Sequence, residues 1–259
     1  MINLILFEND TDGASRHLRA GITSFMIDTE TLGKDARQLG FGTDISPGTF
    51  SDLGRISSIP GGTTWCRLNR YGDHSRAEVD RAIDAGSDVV LLPMSKSLAE
   101  VEAFLGLIAN RASPAIMIET VEAAALAPEL GSLPIKYAFF GLNDFTISRG
   151  GGSIFNALVD GSVERVRNAL PEIEFGVAGL TDISKGHPIP SAYLLEELER
   201  LQCSFTFLRR SFRRDSVHRS AEKIVEEIQA YWQACSSRKP LDRENDHKKL
   251  SLAVQRLPT

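Results

Sequence analysis

The chain has 259 residues, 42% of them hydrophobic and 24% charged, with a formal net charge of −5 at pH 7. That length suits two small domains or one α/β barrel, and no apolar run approaches the roughly 20 residues of a membrane helix. An acidic balance without a dominant basic stripe argues against nucleic acid as a partner, the cluster "RRSFRR" at 209 to 214 being a local exception. Three cysteines, Cys66, Cys203 and Cys235, are widely spaced and odd in number, which speaks against a disulfide framework or a zinc site and for reduced, structural thiols.

In chain order, the start "MINLILFEND" is apolar but lacks a basic n-region and a small-residue cleavage site, so it reads as a first strand, and the chain is expected in the cytoplasm. Further strand-like runs follow at "SFMIDT" (24 to 29), "TWCRLN" (64 to 69), "DVVLLP" (88 to 93), "AIMIET" (115 to 120), "YAFFGL" (137 to 142), "FGVAGL" (175 to 180) and "FTFLRR" (205 to 210). Each is short, nearly continuously apolar and closed by polar, Gly or Pro residues, the pattern of a strand buried on both faces. Helical patterns lie between most of them. In "SLAEVEAFLGLIANR" Leu98, Val101, Phe104, Leu105 and Ile108 form one stripe, "SRAEVDRAIDAG" ends on a glycine stop, and "SAYLLEELERLQ" sets Tyr193, Leu194, Leu198 and Leu201 on one side. Strand and helix alternating eight times predict a parallel sheet closed into a (β/α)₈ TIM barrel over residues 1 to 235. The competing open sheet lacks a G-x-G-x-x-G turn after its first strand.

After the last strand, "SVHRSAEKIVEEIQAYWQA" predicts one amphipathic helix on Val217, Ala221, Ile224, Val225, Ile228 and Trp232. Residues 236 to 259 open with a charged, Pro-containing stretch and end in a short apolar segment. They read as a C-terminal tail that is either disordered or docked on another subunit.

In a barrel, the residues ending each strand gather at one mouth, where such folds place their chemistry. The expected set is Glu8, Asn9 and Asp10; Asp28 and Glu30; Arg67, Asn69 and Arg70; Glu119; Asn143 and Asp144; Asp182; and Arg209, Arg210 and Ser211. Carboxylates from neighbouring strands five and six repel and raise one another's pKa unless a cation lies between them. Two carboxylates completed by water and substrate oxygens suit Mg²⁺ or Mn²⁺, and the lack of converging His and Cys disfavours zinc. Backbone N–H groups from Gly141 to Phe145, or the "RGGG" loop at 149 to 152, are candidates for holding a substrate carboxylate.

The runs "CRLN", "DVVLLPM", "IMIET" and "FFGLNDF", in this order and spacing, resemble the citrate lyase beta-subunit and HpcH/HpaI 2-oxo-acid aldolase family, over about residues 3 to 212. The resemblance implies that Glu119 and Asp144 bind Mg²⁺ or Mn²⁺ and that Arg67 contacts the oxygen of an oxo acid or its enolate. Asp28 and Glu30 are read as further catalytic candidates, and Gly141, Asn143 and Arg210 as candidates for binding substrate. The expected activity is a carbon–carbon lyase or aldolase acting on a 2-oxo acid together with an aldehyde or acyl co-substrate, in a homo-oligomer, trimer or hexamer. The sequence departs from the family in three places. Thr31 stands where the oxo-acid aldolases place a histidine linked to the base, Met117 replaces their glutamine, and Met94 replaces the lysine of the citrate-lyase-like branch.

Alternative readings stay open. Glu119 and Asp144 are also suited to helix capping or to pairing with Arg67, and Asp28 and Glu30 to an ion-pair network with Arg67, Arg37 or Lys34. His74, His187 and Tyr71 are loop candidates for the missing base. For the whole chain, an acyl-CoA thioester lyase and a non-catalytic oxo-acid-binding barrel stand beside the aldolase.

Overall fold

A computed structural model describes residues 1 to 32 and 48 to 257, so Lys34 and Arg37 lie outside the described residues. Eight parallel strands close into a barrel in sequence order: β1 (Asn3–Phe7), β2 (Ser24–Asp28), β3 (Thr63–Arg67), β4 (Val89–Leu92), β5 (Ser113–Ile118), β6 (Tyr137–Phe140), β7 (Glu174–Leu180) and β8 (Phe205–Leu208). Closure is made by β1 and β8, with Asn3 opposite Phe205 and Ile5 opposite Phe207. The fold class expected from the alternation is the one found.

Two apolar layers follow from the two-residue period of a strand. One face of each strand packs outward against helices, as with Phe25, Ile116 and Phe140. The other fills the barrel, where Met26, Trp65, Met117, Phe139, Phe205 and Phe207 meet. The rings of Phe139 and Phe207 lie 4.2 Å apart and those of Trp65 and Tyr137 4.7 Å apart. Carried one step further along each strand, the inward parity places Asp28, Arg67, Glu119, Gly141 and Arg209 at the C-terminal mouth, above this aromatic floor.

The helices that brace the far half of the barrel are α10 (Ser191–Arg200), α11 (Arg210–His218), α12 (Ala221–Ser236) and α13 (Pro240–Gln255), the last four of thirteen among the described residues. The single helix expected over 216 to 234 is thus two. The break falls at Arg219, whose backbone is extended, and Ser220 starts α12 by accepting a hydrogen bond from the Lys223 N–H. Val217, assigned by periodicity to the apolar stripe, belongs to α11 and is 78% exposed.

The segment read as a charged tail contains α13, which packs on α10 of its own chain with Leu250 and Val254 buried. Two of its side chains meet acids there: Arg243 makes a two-pronged contact with Glu199 (2.9 and 2.6 Å), and His247 Nδ1 lies 2.9 Å from Glu197. Composition left this segment as either disordered or docked on another subunit because the partners of these side chains lie on α10, more than forty residues earlier.

Candidate active site

Arg67 ends β3 directly opposite Asp28 of β2. Its Nε and Nη2 donate to the two Asp28 oxygens at 2.9 and 2.8 Å, and Glu30 lies 3.6 Å from Nε. Burial works against the guanidinium charge, but the charge and hydrogen bonds of Asp28, with Glu30 and Glu119 behind them, outweigh it and hold Arg67 above its ordinary pKa. A fork engaged on one side by a carboxylate has a fixed orientation. The remaining nitrogen, Nη1, meets a weak acceptor among the described residues, Met117 Sδ, at 3.7 Å. Asp28 and Arg67 thus form the pair that the sequence left as one alternative, with Nη1 still directed at the cavity.

Glu119 follows β5 and is buried. Its Oε1 accepts a 2.9 Å hydrogen bond from the Met94 N–H, which the left-handed backbone of Met94 (φ 55) turns inward after β4. Such a conformation in a residue with a side chain carries strain that a functional site commonly stores. Gly141 closes the opposite side, since a Cβ there would come within 2.6 Å of Glu119 Oε2. Asp144 lies in the first turn of the helix after β6, α7 (Leu142–Ser148). Burial, and then the charge of Asp144, push Glu119 above the usual carboxylate range, while Arg67 pulls the other way.

These groups border one cavity of about 320 Å³. Phe7, Met117, Phe139 and Phe207 give it an apolar floor, and Arg67, Glu119, Asn143, Asp144, Arg209 and Arg210 a polar rim. The structure therefore brings Arg67, Glu119, Gly141, Asn143, Asp144 and Arg210 together, with Asp28 behind Arg67. Among the described residues no three His, Cys, Asp or Glu side chains converge as a metal cage. The donor set fits a hard divalent cation nonetheless. It offers two oxygen ligands, one of them buried in a cradle that any side chain at 141 would fill, and leaves the other positions to water and substrate.

Other strand-end residues turn elsewhere. Glu8 accepts from the backbone of Asn9 and Asp10 and from Arg213, on the helical side of β1. Asn69 accepts from the backbone of Thr31 and Leu32, which fixes the chain after β2. Asp182 is fully buried and paired with Arg219 and Ser184. Of the candidate bases, His74 contacts the carbonyl of Arg70 and His187 borders a separate cavity; neither lines the one holding Glu119. Strand parity alone distinguishes Arg209, on the inward register, from Arg210, the first residue of α11.

The fold and site define a closed (β/α)₈ barrel with a carboxylate pair and a positioned arginine at its C-terminal mouth. No protein-family model and no curated protein matches the sequence. Solved structures do match. RipC from Yersinia pestis is 16% identical with a TM-score of 0.59, the alignment covering 93% of this chain and 98% of that one. CitE from Mycobacterium tuberculosis, in complex with magnesium and pyruvate, is 15% identical with a TM-score of 0.59, covering 97% and 98%. A citrate lyase from Burkholderia xenovorans is 12% identical with a TM-score of 0.60, covering 99% and 91%. At these identities the likeness establishes a shared fold, which 3-hexulose-6-phosphate synthase also shares at 13% identity and a TM-score of 0.59.

Proposed function

We propose that this chain is a Mg²⁺- or Mn²⁺-dependent carbon–carbon lyase or aldolase acting on a 2-oxo acid of the pyruvate or oxaloacetate kind. The observation that carries the reading is the buried Glu119, set beside the charge of Asp144 in a cavity that Arg67 also borders. A divalent cation on the two carboxylates would supply the positive charge that makes the carbonyl of an oxo acid electron-poor. The chain's own groups do the rest. Asp28 and Glu30 hold Arg67 so that Nη1 can exchange the Met117 sulfur for the substrate oxygen on which negative charge develops. Asn143 and the backbone at Gly141 orient the substrate carboxylate, Arg210 adds positive charge at the rim, and the aromatic floor keeps water from the reacting carbon. A cavity of about 320 Å³ is at the small end of ligand sites and favours a free acid over a bulkier acyl group. The resemblance also supports a cytoplasmic homo-oligomer, trimer or hexamer, and an aldehyde or acyl co-substrate.

The test is calorimetric titration of Mg²⁺ and Mn²⁺ into metal-free protein, with and without pyruvate or oxaloacetate, in wild type and Asp144→Ala. Metal binding that tightens with the oxo acid and disappears in the variant is the expected result. Wild-type protein that binds neither metal, even with oxo acid present, would overturn the lyase reading and leave a non-catalytic barrel.

A further inference from the structure

Arg209 has no part in the chemistry above, yet the barrel is shaped around it. It lies two residues beyond Phe207 on the inward register of β8, and its backbone N–H donates to Leu180 of β7 at 2.7 Å. Its stem crosses Gly179, where a Cβ would come within 2.9 Å of Arg209 Cγ. The β7–β8 register shifts between Gly176 and Gly179, with Ala178 at φ 60, a rim irregularity of the kind that re-aims side chains beside active sites. Three cavities meet at Arg209: the one holding Glu119 and Asp144, one of about 500 Å³ bordered by Asn9 and Asp28, and one of about 580 Å³ bordered by Lys185 and Arg214.

Arg67, Arg213 and Arg219 around the mouth each pair with a carboxylate. Arg209 has no such partner among the described residues, and burial alone lowers its pKa, with no acid offsetting it. A partly buried guanidinium without a counter-ion has lost solvation that an arriving oxyanion restores.

We propose that Arg209 is the recognition group for a second oxyanion of the substrate, a carboxylate or phosphate on the portion that does not engage Glu119 and Asp144. The substrate class becomes a dianion: an oxo acid with a distal acid group, or one whose co-substrate carries the second charge. Which end of the substrate Arg209 holds rests on the lyase reading. That it holds an oxyanion does not.

The experiment therefore uses metal-free protein, titrated calorimetrically with succinate, inorganic phosphate and acetate. Wild type should bind succinate or phosphate more tightly than acetate, and the preferred dianion identifies the oxyanion. Arg209→Gln should weaken that binding at least about 10-fold. Arg209→Lys, which keeps the charge and a stem over Gly179 but loses the fork, should fall between. Arg76→Gln, which removes the same charge from an exposed position in the β3–β4 connection, should match wild type. Equal binding by wild type, Arg209→Gln and Arg209→Lys would overturn the proposal, as would a wild type that binds neither dianion. Neither result bears on the metal titration, so the two readings fail separately.

Discussion

Glu119 occupies a place that disfavours its charge, and this gives the site a pH signature of its own. Because burial and Asp144 raise its folded pKa above the ordinary 4.5, the folded chain binds this proton more strongly than the unfolded one. The contribution of Glu119 to stability is therefore fully present below about pH 4.5 and is lost as pH rises toward the raised folded value. In metal-free protein, Glu119→Gln, which keeps an acceptor for the Met94 N–H, should be the more stable form at pH 7 to 8. The margin should be at least the ~1.4 kcal/mol of one pKa unit and should shrink toward pH 5. Melting curves of both proteins across that range check this; a margin that does not change with pH would mean that Glu119 is not held under charge stress. At this scale the sequence was informative where a lone carboxylate closed an apolar run, as at Glu119 after β5, whereas Asp144 lies past the end of β6 in the first turn of α7. It was silent where the backbone does the work. Nothing in "LLPMSK" signals that Met94 adopts φ 55 to reach Glu119, and Arg209 stood out from Arg210 only once the strand register was known.

Among the elements, strands were legible because each is buried on both faces and reads as a compact apolar run, whereas helix ends depended on caps. The 216 to 234 segment has an uninterrupted helical period, but its α11 part contributes only the exposed Val217, so periodicity merged two helices. Ser220 is what separates them. Its hydroxyl satisfies the Lys223 N–H, an otherwise unpaired donor in the first turn of α12. Ser220→Ala should cost about 1 kcal/mol in urea unfolding, with Ser220→Asp recovering most of it, since an aspartate caps as well and favours the helix N-terminus. A loss restored by neither Asp nor Asn would show that Ser220 matters through packing and not through the cap.

The barrel as a whole is braced on its β7–β8 side by a layer that composition alone could not reveal. Glu196, Glu197 and Glu199 of α10 are buried, and each meets a side chain from α13 or the turn before it: Arg238 for Glu196, His247 for Glu197, which Arg200 of α10 also pairs, and Arg243 for Glu199. Burying carboxylates is costly unless they are paired, so the buried Glu199 of α10 and Arg243 of α13 make sense only together. The net stabilisation comes chiefly from the apolar contacts beside them, Leu250 and Val254, at about 1.5 to 3 kcal/mol each. Removing residues 240 to 259 should therefore lower the unfolding free energy by roughly 3 to 6 kcal/mol, a large share of the ~5 to 15 kcal/mol that holds a typical domain. The residues that define the mouth are carried by other elements, Glu119 by the end of β5 and Asp144 by α7. At a temperature where the truncated chain stays folded, its affinity for Mg²⁺ or Mn²⁺ should accordingly match the full chain. Urea unfolding and metal titration on the same preparation separate the two effects. A truncated protein with an unchanged urea midpoint would show that α13 is not a brace, and one that is folded but fails to bind metal would tie the helix to the site itself.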